Sequence, residues 1–92
     1  MLSFMEIIHE DGRFYVRSKG GESELRYRIE SRVVHIYHTF VPESERGSGI
    51  AGLLTVAALD WARSKGFRVK PDCSYVKGFL EKHGEYDDIV DW

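Results

Sequence analysis

The hydrophobic period of this chain changes at Pro42. Upstream, apolar residues recur at every second position; downstream they recur at helical spacing. Glu24–Glu30 shows the first pattern, with Leu25, Tyr27 and Ile29 on one face and Glu24, Arg26, Arg28 and Glu30 on the other. A segment with one buried and one wetted side belongs to an antiparallel sheet. Val33–Val41 is apolar on both faces and reads as the central strand. Val34, Ile36, His38 and Phe40 are expected on one side of it, and Val33, His35, Tyr37, Thr39 and Val41 on the other. Met5–His9 and Arg13–Ser18 flank Asp11-Gly12, a hairpin signal. Past Pro42, Ile50, Leu53, Leu54, Ala57, Ala58 and Trp61 form a helical stripe that ends at Gly66. Phe67–Lys70 reads as a short strand parallel to the one before the helix. A second helix is expected from about Ser74 to His83, and Gly78 inside it is expected to mark close packing. The order is β-β-β-β-α-β-α in one domain over residues 1–92. This is an α/β (α+β) chain with a mostly antiparallel, twisted sheet of about five strands and two main helices.

Composition narrows the function. Thirteen Lys/Arg against fifteen Asp/Glu give a net charge of −2, which disfavours a general nucleic-acid binder. The longest apolar stretch, Ile50 to Leu59, falls short of the ~20 residues that span a bilayer, and no secretory leader is expected. The single cysteine, Cys73, forms no intramolecular disulfide, and none of the four histidines stands at metal-ligand spacing. The expectation is a soluble, cytoplasmic protein without a metal site.

The segment Arg46-Gly47-Ser48-Gly49-Ile50-Ala51 joins the end of the central strand to the start of the amphipathic helix. Glycines there let a ligand approach the backbone, and the free N–H groups of the first helical turn point outward. With the helix dipole they suit a pyrophosphate, and Arg46 adds a charge-assisted hydrogen bond. Neither a Walker loop nor a dinucleotide fingerprint is present. Cys73 stands at the start of the second helix, where the dipole faces its thiol. Taken alone, it is equally a small buried apolar residue. His38, sharing a strand face with Ile36 and Phe40, reads by itself as a core histidine. His9 and His35 read as structural, and Asp87-Asp88 as a solvated tail. Tyr75 is a candidate proton donor, and Lys77 a candidate for a phosphate.

Arg46-x-x-Gly49-x-Ala51, opening a helix after a buried strand, resembles the Arg/Gln-x-x-Gly-x-Gly/Ala signature of the GNAT superfamily of N-acetyltransferases. Together with His38-Thr39-x-Val41-Pro42 and Pro71-x-Cys73-x-Tyr75-Val76, it is similar to a minimal branch of that superfamily. The resemblance implies an acetyl-CoA site with the pyrophosphate on the amides of Arg46, Gly47, Ser48, Gly49, Ile50 and Ala51. It implies a pantetheine arm beside the strand ending at Val41, and His38 and Cys73 near the thioester. The chain lacks the two helices that larger relatives carry after the first strand. Phe79 and Leu80 stand where many relatives place a general-acid tyrosine. The implied activity is transfer of an acetyl group from acetyl-CoA to an amine acceptor, direct or through an acetyl-Cys73 intermediate. The alternative is a CoA-binding module without turnover.

Overall fold

The period-2 segments upstream of Pro42 form a meander. In the computed structural model, which describes residues 6–92, they give four strands. These are β1 (Ile8–Glu10), β2 (Arg13–Ser18), β3 (Gly21–Glu30) and β4 (Val33–Phe40), each antiparallel to the one before. The first strand was expected from Met5, which lies outside the described residues. The amphipathic segment becomes α1 (Ile50–Ser64), and β5 (Arg68–Pro71) returns parallel to β4. The sheet order is β1-β2-β3-β4-β5, and α2 (Ser74–Lys82) follows. The expected element order holds.

One face of the sheet carries the core. Phe14, Val16, Leu25, Tyr27, Val34, Ile36 and Val69 pack with Ile50, Leu54, Ala58, Leu59 and Ala62 of α1 and with Val76 and Leu80 of α2. Each large side chain so buried stabilises the fold by about 1.5–3 kcal/mol. Leu53, expected in this stripe, is 48% exposed instead. Phe67, expected in β5, belongs to the helix exit: its amide donates to the Ala62 carbonyl at 2.9 Å and its ring meets Trp61 edge-on. Gly78 packs against nothing, for an added Cβ would meet no atom within 4 Å.

The opposite face has no helix over it. Tyr15 is nevertheless buried there, under the guanidinium groups of Arg13, 3.8 Å from the ring centroid, and Arg17, at 5.2 Å. Around it Arg13 pairs with Glu22 and Glu24, Arg26 with Glu24, and Arg28 with Glu30. Alternating charge thus covers this face.

The central strand departs from simple alternation at one point. Arg26 pairs with His38 and Tyr27 with Ile36, which leaves Tyr37 as an extra residue in β4, a bulge. One extra residue reverses the facing of everything beyond it. Val34 and Ile36 face the helices, and so does Thr39, opposite buried Leu25. His38, opposite Arg26, and Phe40, opposite Glu24, face the charged side. The expected grouping of His38 and Phe40 with Val34 and Ile36 is therefore corrected.

Asp87 and Asp88 are exposed, as expected, but the segment that carries them is folded and not a tail. Residues Gly84–Ile89 form a 3-10 helix, and Val90 bridges to Val69. Tyr86, Ile89 and Val90 are buried, while Arg63 pairs with Asp88 and Arg68 with Asp91. The apolar anchors between the acidic residues tie the backbone down. No helix of the described residues is long and apolar enough to cross a membrane.

Candidate active site

Two strands that run parallel separate at one end, and the site lies there. The amide of Asp72 donates to the Ile36 carbonyl at 2.9 Å, the last bond between the β4 and β5 sides. Beyond it β5 has ended, but β4 continues through the bulge to Phe40 with no strand on that side, its other edge still paired with β3. Strand geometry turns alternate backbone groups of residues 37–41 toward this open edge.

A cleft of about 500 Å³ extends from that edge to the start of α1. Thr39 and Val41 form its strand side; Arg46, Gly47 and Gly49 form the loop. Ile50, Ala51 and Gly52 supply the first helical turn, and Tyr75 of α2 closes the far wall. Gly47 and Gly49 have φ of +85° and +89°, in the left-handed region that favours glycine, and a Cβ on either would project into open space. Gly49 is the N-cap of α1 and offers no capping side chain. The first helical bond runs from the Leu53 amide to the Gly49 carbonyl at 3.1 Å, so the amides before it carry the positive end of the dipole into the cleft. The Arg46 Nε donates to the Val41 carbonyl at 3.1 Å, which folds the guanidinium across the strand end. Glu45 also borders the cleft, but it packs at the β2–β3 hairpin, where its Oε2 would lie 2.9 Å from a Cβ on Gly20. The donors suit a diphosphate, and the small residues leave room for one.

Six of the seven residues expected to hold the cofactor thus line one cleft: Val41, Arg46, Gly47, Gly49, Ile50 and Ala51. Ser48 does not. Its amide donates to the Glu45 carbonyl at 3.3 Å and its hydroxyl to the same oxygen, so it staples the loop from behind.

At the strand end of the cleft, Cys73 is half-buried at the N-cap of α2, its Sγ 3.5 Å from the Thr39 Oγ1. Tyr75 lays its hydroxyl over α1, 3.6 Å from where a Cβ of Gly52 would stand. His38 is not brought to this group. It lies on the other side of β4, its Nε2 3.7 Å from the Glu24 carboxylate. The reason is the bulge, which turned Thr39 inward and His38 outward. Arg26, followed by Arg13, holds the Glu24 carboxyl below its usual range, so the group beside His38 is anionic. Sequence reasoning missed Thr39 because its facing depends on the bulge, and Gly52 because it reads as an ordinary helix residue. Lys77 stands in a separate cavity with Cys73, away from the loop where a phosphate would sit. Among the described residues, no group of three or more His, Cys, Asp or Glu gathers as a metal site.

A family model for GCN5-related N-acetyltransferases matches residues 13–89, most of the chain and all of the cleft. The chain belongs to that family. This GCN5-related N-acetyltransferase is 36% identical to Protein NATD1 of Bos taurus over 74 residues, 77% of this chain and 66% of that protein. It is 33% identical to Protein NATD1 of Gallus gallus over 84 residues, covering 86% and 76%. It thus spans about two thirds of the bovine relative's length. The solution structure of a GCN5-like protein from Staphylococcus aureus superposes with a TM-score of 0.73 at 26% identity, over 98% of this chain and 91% of that one. The five-stranded sheet with its two helices is therefore the GCN5-related fold, and acetyl transfer is the family's activity.

Proposed function

We propose that this chain transfers an acetyl group from acetyl-CoA to a primary amine. The observation that carries the reading is the continuity of one cleft from the uncapped start of α1 to the unpaired edge of β4. Bound acetyl-CoA supplies an activated acetyl group, whose carbonyl carbon gains a bond to the amine nitrogen as its bond to sulfur breaks. The amides of Gly49–Gly52 and the Arg46 guanidinium bind the diphosphate. The free backbone groups of the β4 edge align the pantetheine arm, and an amide near Val41 polarises the thioester carbonyl. The bulge gives this edge two sides. Cys73 and Thr39 stand on the cofactor side and His38 on the open face, from which the amine arrives. His38 accepts one of the two protons that the incoming ammonium loses; the other leaves with the thiol. Cys73 borders the thioester, and mass spectrometry after brief mixing distinguishes a neighbouring role from an acetyl-Cys73 intermediate. The reaction belongs in the cytoplasm, where a free Cys73 thiol persists.

Calorimetry with acetyl-CoA, CoA and pantetheine tests the cofactor assignment. CoA should bind at least about tenfold more tightly than pantetheine, and Gly49→Glu should abolish binding by filling the cradle with like charge. Equal affinity for CoA and pantetheine would refute the assignment. Binding of CoA with no amine-dependent thiol release would favour a binding module over an enzyme.

A further inference from the structure

A second cavity, of about 430 Å³, adjoins the cofactor cleft. Cys73 is part of its wall. Thr39, whose hydroxyl lies 3.5 Å from the Cys73 thiol, is part of the cleft wall, so this contacting pair stands between the two spaces. The cavity wall carries both signs of charge. Lys70 and Lys77 border it, and neither pairs with an Asp or Glu side chain among the described residues; the Lys70 ammonium donates to the main-chain oxygen of Trp92, the last residue of the sequence, at 3.2 Å. Asp72, next to Cys73, is the single acidic residue of its wall, and its Oδ2 lies 3.2 Å from the His35 Nδ1. Lys70 pairs in register with His35, which places it on the charged side of the sheet, the side His38 also faces.

Asp72 and Cys73 mark the end nearest the cleft. Lys77 follows Cys73 by one turn of α2, its amide donating to the Cys73 carbonyl at 3.0 Å. Trp92, 56% exposed, completes the wall.

We propose that this cavity holds the acetyl acceptor, and that the acceptor is a small amine bearing a carboxylate. Its nitrogen lies at the Asp72–Cys73 end and its carboxylate between Lys70 and Lys77. The inference rests on the acetyl-transfer reading for the step itself, but not for the binding. The amine nitrogen bonds to the acetyl carbon as the carbon–sulfur bond breaks, and the protons leave as described above. Asp72 holds the ammonium before it is deprotonated, and the two lysines fix the other end of the molecule.

The test is an amide-resonance titration of the protein, free and saturated with acetyl-CoA. The probes are β-alanine and γ-aminobutyrate against ethanolamine, putrescine and a short lysine-containing peptide, with thiol release measured in parallel. The two amino acids should shift the amides of Lys70 to Lys77 saturably and bind at least about tenfold more tightly than the other three. Lys77→Gln and Lys70→Gln should each weaken them about tenfold while leaving acetyl-CoA affinity intact. Equal or tighter binding of ethanolamine, putrescine or the peptide would overturn the proposal. So would an amino-acid preference that survives both lysine substitutions, or the absence of any shift at residues 70–77. Failure of acetyl-CoA itself to bind would overturn the cofactor reading, and the titration of free protein would still decide the cavity.

Discussion

Replacing Gly49 by alanine separates what this residue does for the fold from what it does for the ligand. Gly49 caps α1 at φ +89° and ψ 5°, and an added Cβ would meet no atom within 4 Å. Crowding therefore plays no part in the variant's stability; only the left-handed backbone does. An L-residue in that region costs roughly 1–2 kcal/mol. In a domain of this size each kcal/mol moves Tm by about 4–8 °C, so Gly49→Ala should melt roughly 5–15 °C lower. Gly49→Asn should recover part of the loss, because asparagine tolerates this conformation better. Gly78 is the control of opposite sign. It too has no atom within 4 Å of an added Cβ, but it lies inside α2 with ordinary helical geometry. Gly78→Ala should therefore gain about 1 kcal/mol. Melting followed by circular dichroism reads both. Calorimetry with acetyl-CoA, at a temperature where every variant is folded, reads the second role. The alanine methyl projects into the space left for the diphosphate, so Gly49→Ala should lose at least about tenfold in affinity while Gly78→Ala loses none. An unchanged Tm for Gly49→Ala would refute the strain argument. A destabilised variant with full affinity would refute the diphosphate placement and leave the cap standing.

Two further outcomes follow from the sheet. Deleting Tyr37 makes the pairs Arg26–His38 and Tyr27–Ile36 consecutive without turning any other side chain. Thr39 and His38 then keep their sides, so Tm should stay within about 8 °C of the parent and amine-dependent turnover should persist; turnover at background would show that the facing of these two residues is not what the bulge supplies. The second outcome is a pH dependence at the far edge of the sheet. Burial pushes His9 below its usual 6.5, against a smaller upward pull from Asp11, and its Nε2 lies 2.5 Å from the Tyr27 hydroxyl. The fold thus favours neutral imidazole: the stability it adds is present above pH 6.5 and is lost as pH falls through the lowered folded value. Glu24, held down by Arg26 and then Arg13, adds a separate loss below its usual 4.5. Thermal melts across the acid range should show both declines, and His9→Gln should remove only the first; an unaltered first decline would assign it elsewhere.

Much of the fold was legible because local signals agreed. The charge alternation of Glu24–Glu30, the apolar run after it and the helical stripe from Ile50 each have one physical reading. The glycine loop was legible for the same reason, since Gly47 and Gly49 stand where a strand hands over to a helix and both adopt positive φ. Ser48 could not be told from its neighbours because a motif gives them equal standing, whereas the loop spends the Ser48 amide on the Glu45 carbonyl. Asp87 and Asp88 are exposed as read, but the fold of their segment was not legible, because Tyr86, Ile89 and Val90 anchor it only through contacts distant in sequence.

The bulge is the deeper case. Beyond Ile36 the strand offers Tyr37, His38, Thr39, Phe40 and Val41, all able to sit on either side of a sheet, so alternation there has no phase to detect. The phase is set by β3, where Leu25 must be buried and Arg26 must not, and these choose Thr39 and His38 as their partners. A regular strand would have carried His38 inward beside Ile36. The extra residue instead divides the strand between two surfaces. Thr39 meets Cys73 beside the open β4 edge, and His38 meets the anionic Glu24 on the side that a second substrate can reach. A transfer between two ligands needs such a division, with one bound on each side of the reacting edge. In the proposed reaction, the irregularity that hid Thr39 and His38 from the sequence is the feature by which one short strand would serve both.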